Sequence, residues 1–565
     1  MKNYIAYMVK RRFFLLVVLL LTGSLSLSGQ GINEQVTVVG AFEPVVPDAS
    51  KINLSPSPDE TEVKLPVMSY SVAPVQIKTN LHPDDITAVK LVGEPLKKLY
   101  RNYARVGFGN YTTPYAELYA GSLRSKTYAF GIHMKHLSSS GTIKDYPKSN
   151  NSLNLVELSG QKFTDNHTIA ASAGFRRNVV HHYGFKPAEM SFFVNEDDLK
   201  QRFNRINASA SVASVYSDND RLNHRVGLSF SNVSDKFDTR ESQIGIRAAA
   251  DKRYELFDLT DYQKLSFETN LTFTGYKDSL LSQRSALLSF RPSISTEFNQ
   301  YALLFGLDFS IHADSVSKAY LFPFLEARVR ALEEALMITA GISGGITRRG
   351  FDVLSDENPF IQSVLPLQYT RERFAFYAGA RARVGKNVNL TASFRTANVE
   401  NEPFFVNDET NALLNRFTVV YYDGSVTKFR AEAEYLVAER IRVKAFAGLE
   451  KWSLNGDYEP WHRPGSEFGV DASYDIQKKI IARAGFSAFG KQSARIPVAE
   501  PERVTEFVTE TLKGYTDIHL GVEYRYTKLL SAFLNFSNVA GTRYYQWYNY
   551  PAYRFRVLGG ISYSF

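Results

Sequence analysis

The chain has 565 residues, of which 13% are aromatic (33 Tyr and 40 Phe among them) and 22% are charged. So much aromatic and charged content together argues against a string of ordinary soluble domains and for an architecture in which apolar and polar residues alternate. The net charge of +8 is spread too evenly for a nucleic-acid patch, and the absence of Cys excludes disulfides, thiolate metal sites, a cysteine nucleophile and a lipoprotein anchor.

The N-terminal stretch MKNYIAYMVKRRFFLLVVLLLTGSLSLSGQ carries basic residues (Lys2, Lys10, Arg11, Arg12), an apolar run and then small residues. This is the pattern of a secretory signal peptide, predicted over residues 1–29 with cleavage near Ser28–Gly29. An uncleaved anchor is the alternative, but the apolar core of about nine residues is short against the roughly 20 a spanning helix needs. An exported chain is therefore expected. Next comes EQVTVVGAFEP, Glu34 to Pro44, opening a segment over residues 30–100 punctuated by Pro44, Pro47, Pro56, Pro58, Pro66, Pro74, Pro83 and Pro95. Proline at that spacing breaks helices and central strands alike, so an extended tether with little core is predicted.

From residue 101 to 565 a period of two dominates. In TDIHLGVEYRYT, Ile518, Leu520, Val522, Tyr524 and Tyr526 share one face, opposite Asp517, His519, Glu523 and Arg525. Similar alternation marks the segments around Phe374–Ala382, Val388–Phe394 and Phe429–Val437. About 22 such segments can be counted, many near the ten residues that a tilted strand needs to cross a bilayer. A soluble sandwich would also alternate, so the connections decide. Short linkers (Arg124–Lys126, Gly385–Asn387, Thr527–Lys528) alternate with long polar ones (Tyr183–Lys200, Arg348–Arg371, Asn398–Lys428, Ser453–Ser466, Gly490–Tyr515). Tight turns at one end and large loops at the other define an outer-membrane barrel. The predicted fold class is all-β: a transmembrane antiparallel β-barrel of about 22 strands with a short extended periplasmic N-terminal segment.

Arg381, Arg383, Arg395, Arg430, Arg442 and Arg525 fall on the lumenal face with Glu432 and Glu434. A ring of one sign would select ions; mixed signs on neighbouring strands predict cross-strand charge ladders instead. GFSAFGKQ imitates a phosphate loop but has Gln492 where Ser or Thr is required and lies on a strand. His133 and His136 take opposite faces of a strand and cannot share a metal, while His181 and His182 read as a solvated loop pair. No catalytic constellation is present, so neither an enzyme nor a cofactor is expected. Aromatics in the loops (Phe404, Phe405, Trp452, Trp461, Tyr544, Tyr545, Trp547) read as exposed: a girdle at the strand ends, or contacts to a ligand or surface partner. GGISYSF ends the chain with Tyr563 and Phe565 on one face.

The tether, the segment VGFGNYTTPYAELYAGS (Val106 to Ser122), the strand count and the C-terminus together resemble TonB-dependent-receptor-type barrels of Bacteroidota. The resemblance is strongest to a short group without a proper plug, because only residues 41–100 lie between EQVTVVG and the barrel. It implies outer-membrane location, contact with membrane lipid, and recognition of Tyr563 and Phe565 by the barrel-assembly machinery. EQVTVVG resembles a Ton box, which implies a docking strand at Glu34, Val36, Thr37, Val38 and Val39 for a TonB-like protein. A surface lipoprotein is a further implied partner; nucleic acid is not. Two functions follow as expectations: passage of a solute across the outer membrane, or a non-transporting scaffold that docks another envelope component.

Overall fold

The computed structural model describes residues 99–216, 221–255, 263–332, 335–437, 440–497 and 507–565. The signal peptide, the docking strand at Glu34 and Val36–Val39, and the tether up to residue 98 lie outside the described residues.

The wall opens with β1 (Asn102–Gly109), β2 (Thr113–Gly121), β3 (Tyr128–Ser139), β4 (Asn151–Phe163), β5 (His167–His181) and β6 (Lys200–Ser214). It continues through β7 (Asn223–Ser234), β8 (Arg240–Tyr254), β9 (Gln263–Lys277), β10 (Ser282–Phe298), β11 (Tyr301–Ala313), β12 (Lys318–Ala331) and β13 (Leu336–Arg348). After β14 (Tyr369–Val384) come the two longest strands, β15 (Val388–Asn407) and β16 (Phe417–Val437), then β17 (Ile441–Leu454), β18 (Ser466–Ile476) and β19 (Ile480–Phe489). A separate hairpin, β20 (Gln492–Pro497) with β21 (Phe507–Leu512), precedes β22 (Tyr515–Arg525) and β23 (Leu530–Ser537). A small pair, β24 (Tyr545–Trp547) with β25 (Tyr550–Pro551), precedes the last wall strand, β26 (Arg556–Ser564).

Twenty-two strands form one antiparallel sheet, and β1 pairs with β26 from Tyr103↔Ser564 to Gly109↔Leu558, so the sheet closes. At that seam a Cβ on Gly560 would stand 2.0 Å from the Val106 carbonyl, so only glycine lets the two strands meet. Closure leaves the wall without a free edge.

The face pattern follows the alternation in the sequence. Leu303, Phe305, Leu307, Phe309 and Ile311 of β11 are exposed on the outside, whereas Asp308, Ser310 and His312 between them point inward. A row of exposed apolar side chains around a closed sheet requires an apolar solvent. The fold and its faces are those of an outer-membrane β-barrel. Connections at one end are short: 164–166, 299–300, 385–387, 477–479 and 526–529. Outward Tyr128, Phe298, Tyr301, Tyr435, Tyr474, Tyr524, Tyr563 and Phe565 gather there as an aromatic belt. Long connections (140–150, 182–199, 349–368, 455–465, 490–514 and 538–555) all lie at the other end.

The stretch Asn398–Lys428, expected as a long polar loop, is mostly strand, with β15 and β16 paired as far as Asn407↔Phe417. Residues 402–408 are all buried, so both faces of the strand are covered and the alternation that marks a half-buried strand disappears.

Candidate functional site

The long loops do not wave above the barrel; they pack into a cap across its mouth. The chain leaving β13 turns inward at Gly350 into a short helix, Phe351–Glu357, which forms the lid. Glu241, a lumenal residue of β8 and almost wholly buried, accepts from Arg348 Nη2 at 2.9 Å and from the Phe351 amide at 3.0 Å. A Cβ at position 350 would lie 2.3 Å from that carboxylate, so glycine is what allows the approach. Across the lumen, Arg205 Nε of β6 donates to Asp352 Oδ1 at 2.7 Å, and Arg176 Nη2 of β5 to Asp356 Oδ1 at 2.7 Å. Phe351 and Leu354 of the lid pack with Phe203, Val233 and Tyr276 of the wall, all buried. Each such side chain contributes roughly 1.5–3 kcal/mol through lost apolar contact with water.

Past the helix, Ile361 bridges to Phe417, and the Gln362 amide donates to the Phe417 carbonyl at 2.8 Å. Ser363 is gripped by the tight β7–β8 turn of the wall: its carbonyl accepts from Thr239 Oγ1 at 2.9 Å and its hydroxyl donates to Asp235. The β23–β26 loop reaches the same core through Trp547, whose ring lies 5.2 Å from Phe405 and 5.5 Å from Phe417. Tyr550 stacks on Phe360 at 3.7 Å and donates to the Asn415 carbonyl at 2.5 Å. Asn415 Nδ2 in turn donates to the His182 carbonyl at 2.5 Å, which ties in the β5–β6 loop.

His462 is buried among these loops. Its Nδ1 donates to the Phe405 carbonyl at 3.0 Å, and its Nε2 accepts from the Tyr548 amide at 3.3 Å, so the ring is neutral with a fixed tautomer. Burial pushes its pKa down to about 4. Glu402, also buried, sits 3.4 Å from both Arg349 and Arg463, and Glu357 of the lid lies 3.8 Å from the same two guanidinium groups.

The loop aromatics therefore stand elsewhere than expected. Trp461, Phe404, Phe405 and Trp547 are buried rather than exposed, because the loops cover one another. Trp452 is half-buried, donates to Glu450 Oε1 at 2.6 Å and packs edge-on against Phe404. Tyr544 is half-buried and stacks on Tyr515 at 4.2 Å; Tyr545 lies half-buried in the small β24–β25 pair. His182 is likewise no solvated residue: it is buried, neither ring nitrogen has a partner among the described residues, and its pKa falls to about 3. His181 is half-buried, with Nδ1 donating to the Asn150 carbonyl at 2.7 Å.

Below the cap the lumen is polar, and six of the eight charges singled out in the sequence are ion-paired among the described residues. Arg430 contacts Glu432 at 2.6 Å and also Glu467; Glu434 faces Arg442 at 3.4 Å and Lys444 at 3.7 Å. Arg395 pairs with Glu372, and Arg525 with Asp475 at 3.3 Å. Arg381 and Arg383 have no ion pair among the described residues. Sequence reasoning missed Glu372, Asp475, Glu467 and the whole lid; for the first three, opposite charge on the next segment was the available signal. His133 and His136 do point apart, to Glu117 with Glu157 and to Asn154. At the long-loop end of the wall, Leu367 and Gln368, from the chain that runs from the lid to β14, form one wall of a cavity of about 720 Å³ whose other walls include His312, Asp314, Lys318, Tyr320 and Arg371.

A closed 22-stranded barrel with a polar lumen defines the class as outer-membrane β-barrels. No protein-family model and no curated protein matches the chain. Solved structures do. The pyoverdine-bound FpvA of P. aeruginosa aligns with a TM-score of 0.63 at 11% identity, over 83% of this chain and 72% of that one. The ferric-catecholate import receptor Fiu of E. coli K12 aligns at 0.60 and 11%, over 82% of each chain. The FrpB iron transporter of Neisseria meningitidis aligns at 0.62 and 12%, over 83% and 82%. Likeness at such identity establishes the fold.

Proposed function

We propose that the protein passes a polar solute across the outer membrane through its lumen, with the loop cap as the outer gate. The polar cavity beside the cap carries this reading: Leu367 and Gln368 belong to the same connection as the lid helix and line the cavity, so a solute bound there would touch the gate. Receptors and transporters of the same fold support a transport role over an enzymatic one. Paired charges of both signs along the wall favour an uncharged or zwitterionic solute over a simple ion. Glu34 and Val36–Val39 serve as a docking strand for a TonB-like periplasmic protein or another envelope partner, supported by their composition and place ahead of the barrel. Tyr563 and Phe565, stacked at 5.5 Å on the outward face, act as the assembly signal.

A second reading, a non-transporting scaffold, draws support from the cap itself, whose core of wholly buried aromatic and aliphatic side chains resembles a folded domain. Planar-bilayer conductance separates the two. The full chain is expected to conduct negligibly, and a chain with residues 351–366 replaced by a short Gly-Ser linker to conduct in steps. A companion deletion of residues 34–95 tests whether the tether adds a second gate. Negligible conductance from both deletions would establish the scaffold.

A further inference from the structure

At the short-turn end two neighbouring hairpin turns bring lysines together. Lys478 and Lys479 come from the β18–β19 turn, Lys528 from the β22–β23 turn. With Arg525, Tyr100, Tyr526 and Thr527 they line a cavity of about 490 Å³ that has no carboxylate in its walls. Arg525 is held from behind by Asp475 at 3.3 Å, Glu523 at 4.0 Å and the Lys478 carbonyl at 3.5 Å, so its charge is already balanced. The three lysines have no ion pair among the described residues, which leaves about three positive charges facing one space.

Two further observations point to an occupant. Gln477 and Lys478 both have left-handed backbone, at φ +53° and +60°. Such a turn favours Asn-Gly, and a lysine held there keeps its ammonium at the rim against conformational preference. Beside the cavity Tyr474, Tyr524 and Tyr526 are exposed on the outward face, which puts the lysines at the level of the lipid headgroups of the adjoining leaflet.

We propose that this cavity binds the phosphate group of an anionic phospholipid of that leaflet, with Lys478, Lys479 and Lys528 as its cationic ligands. The same chemistry would accept free phosphate, and the acyl chains of a lipid would lie along the tyrosines.

The test is native mass spectrometry of the full chain in neutral detergent, titrated with phosphatidylglycerol. Three proteins are compared: wild type, K478Q/K479Q/K528Q, and a charge-matched control at the same end, K126Q/K386Q/R440Q. Heat-modifiable migration in electrophoresis verifies that each barrel is folded. The expected result is lipid retention weakened about tenfold or more in the first variant and unchanged in the control. Displacement of the lipid by millimolar inorganic phosphate would uphold the site and identify free phosphate as a competing occupant; no displacement assigns it to lipid. Equal retention by wild type and the site variant, or an equal loss in the control, would overturn the proposal.

Discussion

Arg205 on the lumenal face of β6 and Asp352 on the lid helix share a 2.7 Å ion pair although the sequence separates them by a third of the barrel's circumference. The guanidinium is buried and also donates to Ser355 Oγ at 2.6 Å, whereas the carboxylate is partly exposed. Asp352→Asn strands a buried cation and should loosen the lid by about 2 kcal/mol, discounted from the full cost of a broken buried pair for solvent at the carboxylate. Trypsin cleavage within residues 349–368 measures this. Cleavage no faster than in wild type would show that the apolar core alone keeps the lid closed.

Glu241 and Arg348 are both buried, so Glu241→Gln has little solvent to compensate it. Losing one partner of such a pair costs about 3–5 kcal/mol. The Phe351 amide, which donates to Glu241, should then exchange with deuterium about a hundredfold to a thousandfold faster or more, with wall amides unaffected. Unchanged protection at Phe351 would mean that the lid is anchored elsewhere.

Trp547 joins the β23–β26 loop to Phe405 and Phe417. Trp547→Ala leaves a cavity costing about 3–5 kcal/mol. Because the loss falls on the cap, the barrel should retain its heat-modifiable migration while denaturant releases the cap at lower concentration. Acrylamide quenching of Trp461, buried in the adjoining cluster with Phe404 and Val406, reports that step. A variant in which cap and wall still unfold together would refute their separation.

His462 makes the cap sensitive to acid. Its folded pKa, about 4, lies below the ordinary value of 6.5, so the folded cap takes up fewer protons than the unfolded loops in that interval. Its contribution is complete above pH 6.5 and is lost as pH falls toward 4, a difference of about 3 kcal/mol. His182, pushed down to about 3 by burial, acts in the same direction. Cap opening followed by tryptophan quenching should therefore rise between pH 6.5 and 4 in wild type and rise less steeply in His462→Gln, where His182 alone remains. Identical pH profiles in the two proteins would assign the sensitivity to other groups.

The wall was legible because each strand faces one apolar and one polar solvent. That contrast is written locally, in Ile518, Leu520, Val522 and Tyr524 against Asp517, His519 and Glu523, and it repeats often enough to count strands. Segregation of tight turns from long connections then distinguished a barrel from a sandwich. Mixed charges on adjacent segments likewise anticipated pairs such as Glu434 with Arg442.

The cap was not legible, for the complementary reason. In EPFFVN, residues 402–407, both faces of β15 are covered by other loops, so the alternation vanishes and the segment resembles a polar loop with stray aromatics. Phe405 and Phe417 of the β15–β16 hairpin meet Trp547 and His462, which come from two other connections, only once the barrel has closed. The sequence by itself determined a membrane barrel of about 22 strands with charges of both signs on its lumenal face, since periodicity and loop length depend on near neighbours in the chain. Only the tertiary structure decided that the loops pack together across the mouth, that the loop aromatics form a core rather than a surface, and that His182 and His462 are buried, since burial depends on residues hundreds of positions apart.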